Sequence, residues 1–165
     1  MEGTFGPNSD RQEQIAGALR RPEGGSCHIM GVLNITPDSF HEQSRMTTTD
    51  EAIQAGLAMW QNGAVWLDVG GESTRPGAAL VTATEEQQRV IPVIEGLRKV
   101  NSNGFISVDT RRASVARAAI KAGADLINDV SGLRDPAMVD VVLEAGCGVC
   151  IMHMQGTPQN MQDKP

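Results

Sequence analysis

Aromatic residues are scarce. The chain has no tyrosine, two tryptophans and three phenylalanines among its 165 residues. Proteins that read single-stranded nucleic acid stack bases on aromatic rings beside a basic groove. The groove is missing as well, since 14 lysines and arginines face 20 acidic residues and leave a formal net charge of −6. With no basic footprint for a phosphate backbone, a nucleic-acid partner is excluded. No apolar run approaches the roughly 20 residues needed to cross a bilayer, so no membrane partner is expected. The first residues, Met1 to Gln14, do not read as a secretory leader. Three cysteines, an odd number, make a disulfide framework unexpected and suit a cytoplasmic setting. Cys147 and Cys150 form a C-x-x-C, but residues three apart on a strand point to opposite faces. Two buried thiols are therefore expected there, not a metal or redox pair.

What the chain does have is enough apolar sequence for one core: 40% hydrophobic and 21% charged residues. Its 18 glycines carry no repeat and suggest many tight turns. Residues 1–26 read as an N-terminal appendage with a helix from about Asp10 to Arg21, stopped by Pro22 and Gly24-Gly25. Five short apolar runs follow: Cys27–Leu33, Ala64–Val69, Phe105–Val108, Leu126–Val130 and Gly148–Met152. Each reads as a buried strand bounded by Gly, Asn or Asp.

Helical patterns separate the strands. Thr48–Gln61 opens on a capping-box pair, Thr48 and Glu51, and Thr84–Val100 on Thr84 and Gln87, with Pro92 expected to kink the latter. Arg112–Ala122 ends at Gly123. Asp135 and Pro136 cap a helix that runs to Ala145. The stretch from Ile35 to Thr47 has no periodicity and reads as a long loop of the kind that forms lids.

This alternation predicts an α/β chain with a parallel sheet. Neither glycine-rich phosphate fingerprint of nucleotide-binding folds follows the first strand. Instead the strands end on Asn34, Asp68, Asp109, Asn128 and His153. That is where a (β/α)8 barrel gathers its chemistry, at the C-terminal rim. Parity agrees: Ser107 and Asp109 share one face of their strand and Ile106 and Val108 the other, as Trp66 and Asp68 share a face of theirs. His153 reads as a packing residue. Asp68 reads as a support for the loop above it.

The run Met30-Gly31-Val32-Leu33-Asn34-Ile35-Thr36-Pro37-Asp38-Ser39-Phe40 closely resembles the dihydropteroate synthase family, the folate-pathway enzymes that sulfonamides inhibit. Asp68-Val69-Gly70-Gly71-Glu72-Ser73-Thr74-Arg75-Pro76-Gly77, Ser107-Val108-Asp109-Thr110, Ile127-Asn128-Asp129-Val130-Ser131-Gly132 and Met152-His153-Met154-Gln155-Gly156 agree in order and spacing. The resemblance covers about Cys27 to Pro165. It departs after Phe40, where the family commonly has a small Ser-Asp-Gly-Gly-like run and this chain has His41-Glu42-Gln43-Ser44-Arg45.

The resemblance implies a TIM-type (β/α)8 barrel that condenses 6-hydroxymethyl-7,8-dihydropterin diphosphate with p-aminobenzoate, releasing pyrophosphate with the help of Mg2+. It implies Asn34 as a metal ligand, whose single amide oxygen leaves room for phosphate. Asp109 and Asn128 then hold the pterin, a ring edge of mixed donors and acceptors that a carboxylate and an amide can match. Thr74 and Arg75 lie near the diphosphate and Pro76 near the aminobenzoate. Asp38 faces the nascent cation and Phe40 walls the aminobenzoate pocket.

A complete barrel runs to about 250 residues, whereas residues 27–165 make about four and a half βα units. The family's later groups, a second carboxylate with a Gly-rich Lys segment and a late basic stretch with its His, have no counterpart here. The expectation is little or no synthase activity from this chain alone, and a homodimer where the barrel is complete. Two other readings stand beside it: a non-catalytic half-barrel that binds a pterin or a partner, and the pterin-binding barrel of a corrinoid methyltransferase. The latter leaves the diphosphate-type loops without a role.

Overall fold

A computed structural model of the chain describes residues 5–20, 22, 24, 27–35, 45–72 and 80–153, with the backbone alone at 45–48. Helix α1, Ser9–Leu19, opens on Asn8, whose side chain accepts from Arg11 N at 2.9 Å. Strands and helices then alternate: β1 Met30–Asn34, α2 Arg45–Gln61, β2 Trp66–Gly70, α3 Ala83–Val100, β3 Phe105–Asp109, α4 Ala113–Ala122, β4 Leu126–Asp129, α5 Pro136–Ala145 and β5 Gly148–Ile151. No helix among the described residues is long and apolar enough to cross a membrane.

Local chemistry sets the helix ends, sometimes at residues other than the expected ones. The capping box of α3 is Thr82 with Glu85, not Thr84 with Gln87. A carboxylate at the third helical position accepts the Thr82 N–H at 2.9 Å and adds negative charge where the helix dipole favours it. Helix α3 runs on through Pro92. Helix α2 starts at Arg45, so Thr48 lies inside it and Arg45–Thr47 belong to the helix, not to the loop. Gly123 ends α4 with φ +112°, a left-handed backbone open to glycine. Asp135 serves two helices at once, accepting from Ala137 N at 3.1 Å in α5 and from Ala113 N at 3.0 Å in α4.

The five strands form one parallel sheet in chain order, β1-β2-β3-β4-β5. A doubly wound sheet reverses its order and carries helices on both faces. Here the order never reverses and α2 to α5 pack against one another on a single face, which is the construction of a barrel wall. Leu67, Val69, Ile106, Val108 and Ile127 point to that face and are fully buried against Val90, Ile94, Leu97, Val115 and Met138. Each such side chain contributes about 1.5–3 kcal/mol by leaving water. Helices α2 and α3 approach so closely that a Cβ on Gly96 would stand 2.2 Å from Ile53.

The opposite face has a separate apolar group at its foot. Trp66 and Phe105 lie with ring centroids 4.8 Å apart, and Leu126 and Ile15 of α1 are buried with Trp66. Residues 1–26, set apart above as an appendage, thus contribute a helix that docks across the N-terminal ends of the strands. Arg11 fixes it there through Asp125, and its guanidinium lies 4.4 Å from the Phe105 ring centre.

Candidate functional site

Parallel register places partner residues on the same face, so the inner face reads as rows. The lowest is Met30, Trp66 and Phe105. The next is Val32, Asp68, Ser107, Leu126 and Gly148. The row at the C-terminal ends is Asn34, Gly70, Asp109, Asn128 and Cys150. Asn34, Asp109 and Asn128 therefore share one level of one face. Asp68 does not reach it: β2 continues to Gly70, and Asp68 stands one row below. The strand-end expectation fails at that residue because Val69 and Gly70 still pair with β1 and β3.

Gly70 gives the row its space. A Cβ there would lie 3.4 Å from Asp109 Oδ2 and 3.5 Å from Asn34 Oδ1, so both oxygens stand over the position its side chain would fill. Asn34 is exposed, while Asp109 and Asn128 are half-buried. Asp68, 5% exposed, accepts from Asn128 Nδ2 at 2.9 Å. Asp129, the outward neighbour of Asn128, accepts from Ser131 N at 2.7 Å and Leu133 N at 2.8 Å and so fixes the loop that follows.

Burial pushes the Asp109 carboxyl up to about 7, helped by the negative charges of Asp68 and Glu86. Its charge is held at a cost, and no donor among the described residues offsets it.

A second polar cluster joins the tops of β2 and β3. Glu72 accepts from Arg111 Nε at 3.0 Å, from Arg112 Nη1 at 2.9 Å and from Val81 N at 3.3 Å. Arg112 also pairs with Glu86, which is 1% exposed. Arg89 donates to Gly71 O at 2.7 Å. Residues 71–72 and 81 are thus bound to one framework. Burial raises the Glu72 carboxyl, but the hydrogen bonds from Arg112, Arg111 and Val81 outweigh it and bring it down to about 2. Its contribution to stability is therefore complete above about 4.5, the ordinary value, and disappears as the pH falls towards 2. We expect Glu72→Ala to lower stability by about 2–4 kcal/mol at neutral pH. The gap from the unaltered chain should shrink at pH 3; urea midpoints at the two pH values check this.

Among the sequence-expected site residues, Asn34, Asp109 and Asn128 come together on the rim row. Asp38, Phe40, Thr74, Arg75 and Pro76 lie outside the described residues. Cys150 is exposed and Cys147 half-buried, so the expectation of two buried thiols does not hold. His153 is exposed and lies two residues past the end of β5, so the expected strand-end packing position is not what it occupies. Sequence reasoning missed the Glu72–Arg112–Glu86 framework. Its one signal was a glutamate at an inward helix position, four before Val90. A cavity of about 530 Å3 lies at the other end of the face, between α1 and Met30, Trp66, Leu126 and Cys150. It meets the rim row only at Cys150, and its lining is mostly apolar.

The rim row offers hard oxygen acceptors and one amide that donates and accepts. No cluster of three or more His, Cys, Asp or Glu among the described residues could enclose a metal by itself. Asn34 Oδ1 and Asp109 Oδ2, both bordering the vacant side of Gly70, instead fit a magnesium ion that takes few protein oxygens and completes its shell with phosphate and water.

A parallel barrel wall with a polar, glycine-spaced row at its strand ends is the construction on which (β/α)8 barrels gather their chemistry. The chain belongs to the pterin binding enzyme family, whose model matches residues 30–165. It is 46% identical over 138 residues to dihydropteroate synthase of Escherichia coli strain K12, covering 84% of this chain and 49% of that relative. The Yersinia pestis dihydropteroate synthase, solved in a sulfonamide drug complex, superposes with a TM-score of 0.74 at 46% identity, covering 84% of this chain and 50% of that one. The Burkholderia cenocepacia enzyme complexed with 7,8-dihydropteroate gives 0.69 at 45% identity, covering 84% and 45%. The chain spans about half the length of these relatives, which makes it the first half of such a barrel: four βα units and a fifth strand.

Proposed function

We propose that the chain supplies the N-terminal half of a dihydropteroate synthase site, in the cytoplasm, and that the complete barrel forms a homodimer. In the reaction the aminobenzoate nitrogen attacks the pterin methylene carbon. The C–O bond to the diphosphate breaks with its electron pair going to the leaving oxygen, and the nitrogen sheds a proton. The observation that carries the reading is the shared level of Asn34, Asp109 and Asn128 around Gly70.

Asp109 accepts a ring N–H, which offsets the cost of its buried charge. Asn128 meets the ring edge with an amide that both gives and takes. Asn34, with Asp109 bordering it, would hold Mg2+, which when bound neutralises charge on the departing diphosphate. By similarity to the family, Thr74 and Arg75 bind the diphosphate, Asp38 faces the cationic carbon, and Phe40 and Pro76 wall the aminobenzoate. Support comes from the relatives solved with 7,8-dihydropteroate and with 4-aminobenzoic acid.

Titrating the purified chain with 6-hydroxymethylpterin, followed by pterin fluorescence, tests this. Saturable binding is expected. No saturable binding, with or without Mg2+, would overturn it. Binding that proves equally strong in Asp109→Ala would place the pterin elsewhere and favour the non-catalytic half-barrel.

A further inference from the structure

We propose that Asp68 is a positioning residue that sets which ring the site prefers, by fixing the orientation of the Asn128 amide. This rests on the pterin-binding reading above. Asp68 is 5% exposed, on the inner face, one row below the rim. Its Oδ2 accepts from Asn128 Nδ2 at 2.9 Å, a bond that runs from β2 to β4 across β3. The amide nitrogen is the donor of that bond and a carboxylate oxygen its acceptor. The NH2 end of Asn128 is therefore the end held, and its carbonyl Oδ1 is left as a fixed acceptor for a ligand.

The rest of Asp68 is not used as a structural carboxylate would be. Its Oδ1 is buried without a hydrogen-bond partner among the described residues, and so is Ser107 Oγ beside it on the same row. Buried polar atoms are almost always paired, so two such oxygens without a hydrogen-bond partner among the described residues set this row apart from the rest of the core. Both oxygens lie beneath the rim row, on its face. The inner face thus carries an amide oriented at the rim and two further polar oxygens on the row below it.

The consequence is discrimination. A fixed acceptor at Asn128 favours a ring bearing an amino group and penalises one bearing a carbonyl there, because two acceptors would face each other. The isosteric Asp68→Asn replaces an acceptor with a group that also donates, so Asn128 is free to turn over. We expect the unaltered chain to prefer 6-hydroxymethylpterin over 6-hydroxymethyllumazine, which has a carbonyl in place of the amino group. In Asp68→Asn that preference should fall about tenfold, the worth of one hydrogen bond. In an Asn128→Ala background the same substitution should leave the ratio unchanged. A merely structural Asp68 would weaken both ligands alike and in both backgrounds.

Binding isotherms of the four chains, with far-UV circular dichroism to verify folding, decide it. Saturable binding with an unaltered ratio in Asp68→Asn overturns this inference alone, and no pterin binding by the unaltered chain overturns the site reading with it. Should the variant not fold, 15N spectra of the unaltered chain serve instead. One Asn128 side-chain amide proton protected from exchange is expected, and two equally unprotected ones would overturn the assignment.

Discussion

Replacing Asp125 with alanine should lower stability by about 3–5 kcal/mol, a large share of what a chain of this size has in hand. Asp125 is buried at the foot of β4 and gathers charge from three elements. It accepts from Arg11 Nε at 2.8 Å, from Arg98 Nη2 at 2.7 Å and from Ile106 N at 2.9 Å. Removing it strands two partly buried guanidinium groups and one buried backbone donor. The two arginines also hold the turn before β3, since both donate to Gly104 O. The loss should therefore free α1 from the strand ends. Trp66, 3% exposed under that helix, reports it: its emission should move to the red before the global transition. A urea midpoint within about 1 kcal/mol of the unaltered chain would show that the cluster is not a junction. If Asp125→Ala cannot be isolated, Arg11→Ala should give the emission change at a smaller cost.

The alternation of strands and helices, the two faces of β3 and three residues of the rim row were readable in the sequence, because period-two alternation on strands and capping chemistry on helices are local signals. Asn34, Asp109 and Asn128 could be found because strand parity and strand ends are countable. Asp68 was placed one row too high, since nothing local reveals that β2 continues past Val69 to Gly70. That length is decided by pairing with β1 and β3. The Thr82 box lost to the Thr84 pair for a similar reason: both match the pattern, and the choice falls to where the chain leaves the loop. Asp125 and Glu72 were invisible as hubs. Their partners lie up to 114 residues away, and a surface carboxylate and a buried, bridged one look identical in sequence. The docking of α1 was hidden for a related reason: it rests on one buried apolar side chain, Ile15, and on Arg11 reaching a partner 114 residues away.

Asp109→Asn is expected to make the fold more stable and the site weaker. The folded carboxyl titrates at about 7 against an ordinary 3.8. Between those values the folded chain holds a proton that the unfolded chain has released, so stability falls as the pH rises through this window. Below 3.8 the penalty is absent, and above 7 it is complete. The asparagine variant carries no such charge. Its advantage should be nil near pH 3.5, grow up to pH 7 and stay level beyond, reaching an order of 1–3 kcal/mol. Thermal melts of both chains across that range measure the difference directly, and an advantage that is constant with pH would mean that Asp109 keeps an ordinary carboxyl. Binding should move the other way. A pterin N–H donates best to the ionised form, so affinity in the unaltered chain should rise with pH through about 7. The variant should bind about 10–100-fold more weakly above that pH, with no rise at all. The opposed signs separate a charge kept for a ligand from one kept for the fold: a structural carboxylate would lose stability on neutralisation, and this one should gain it.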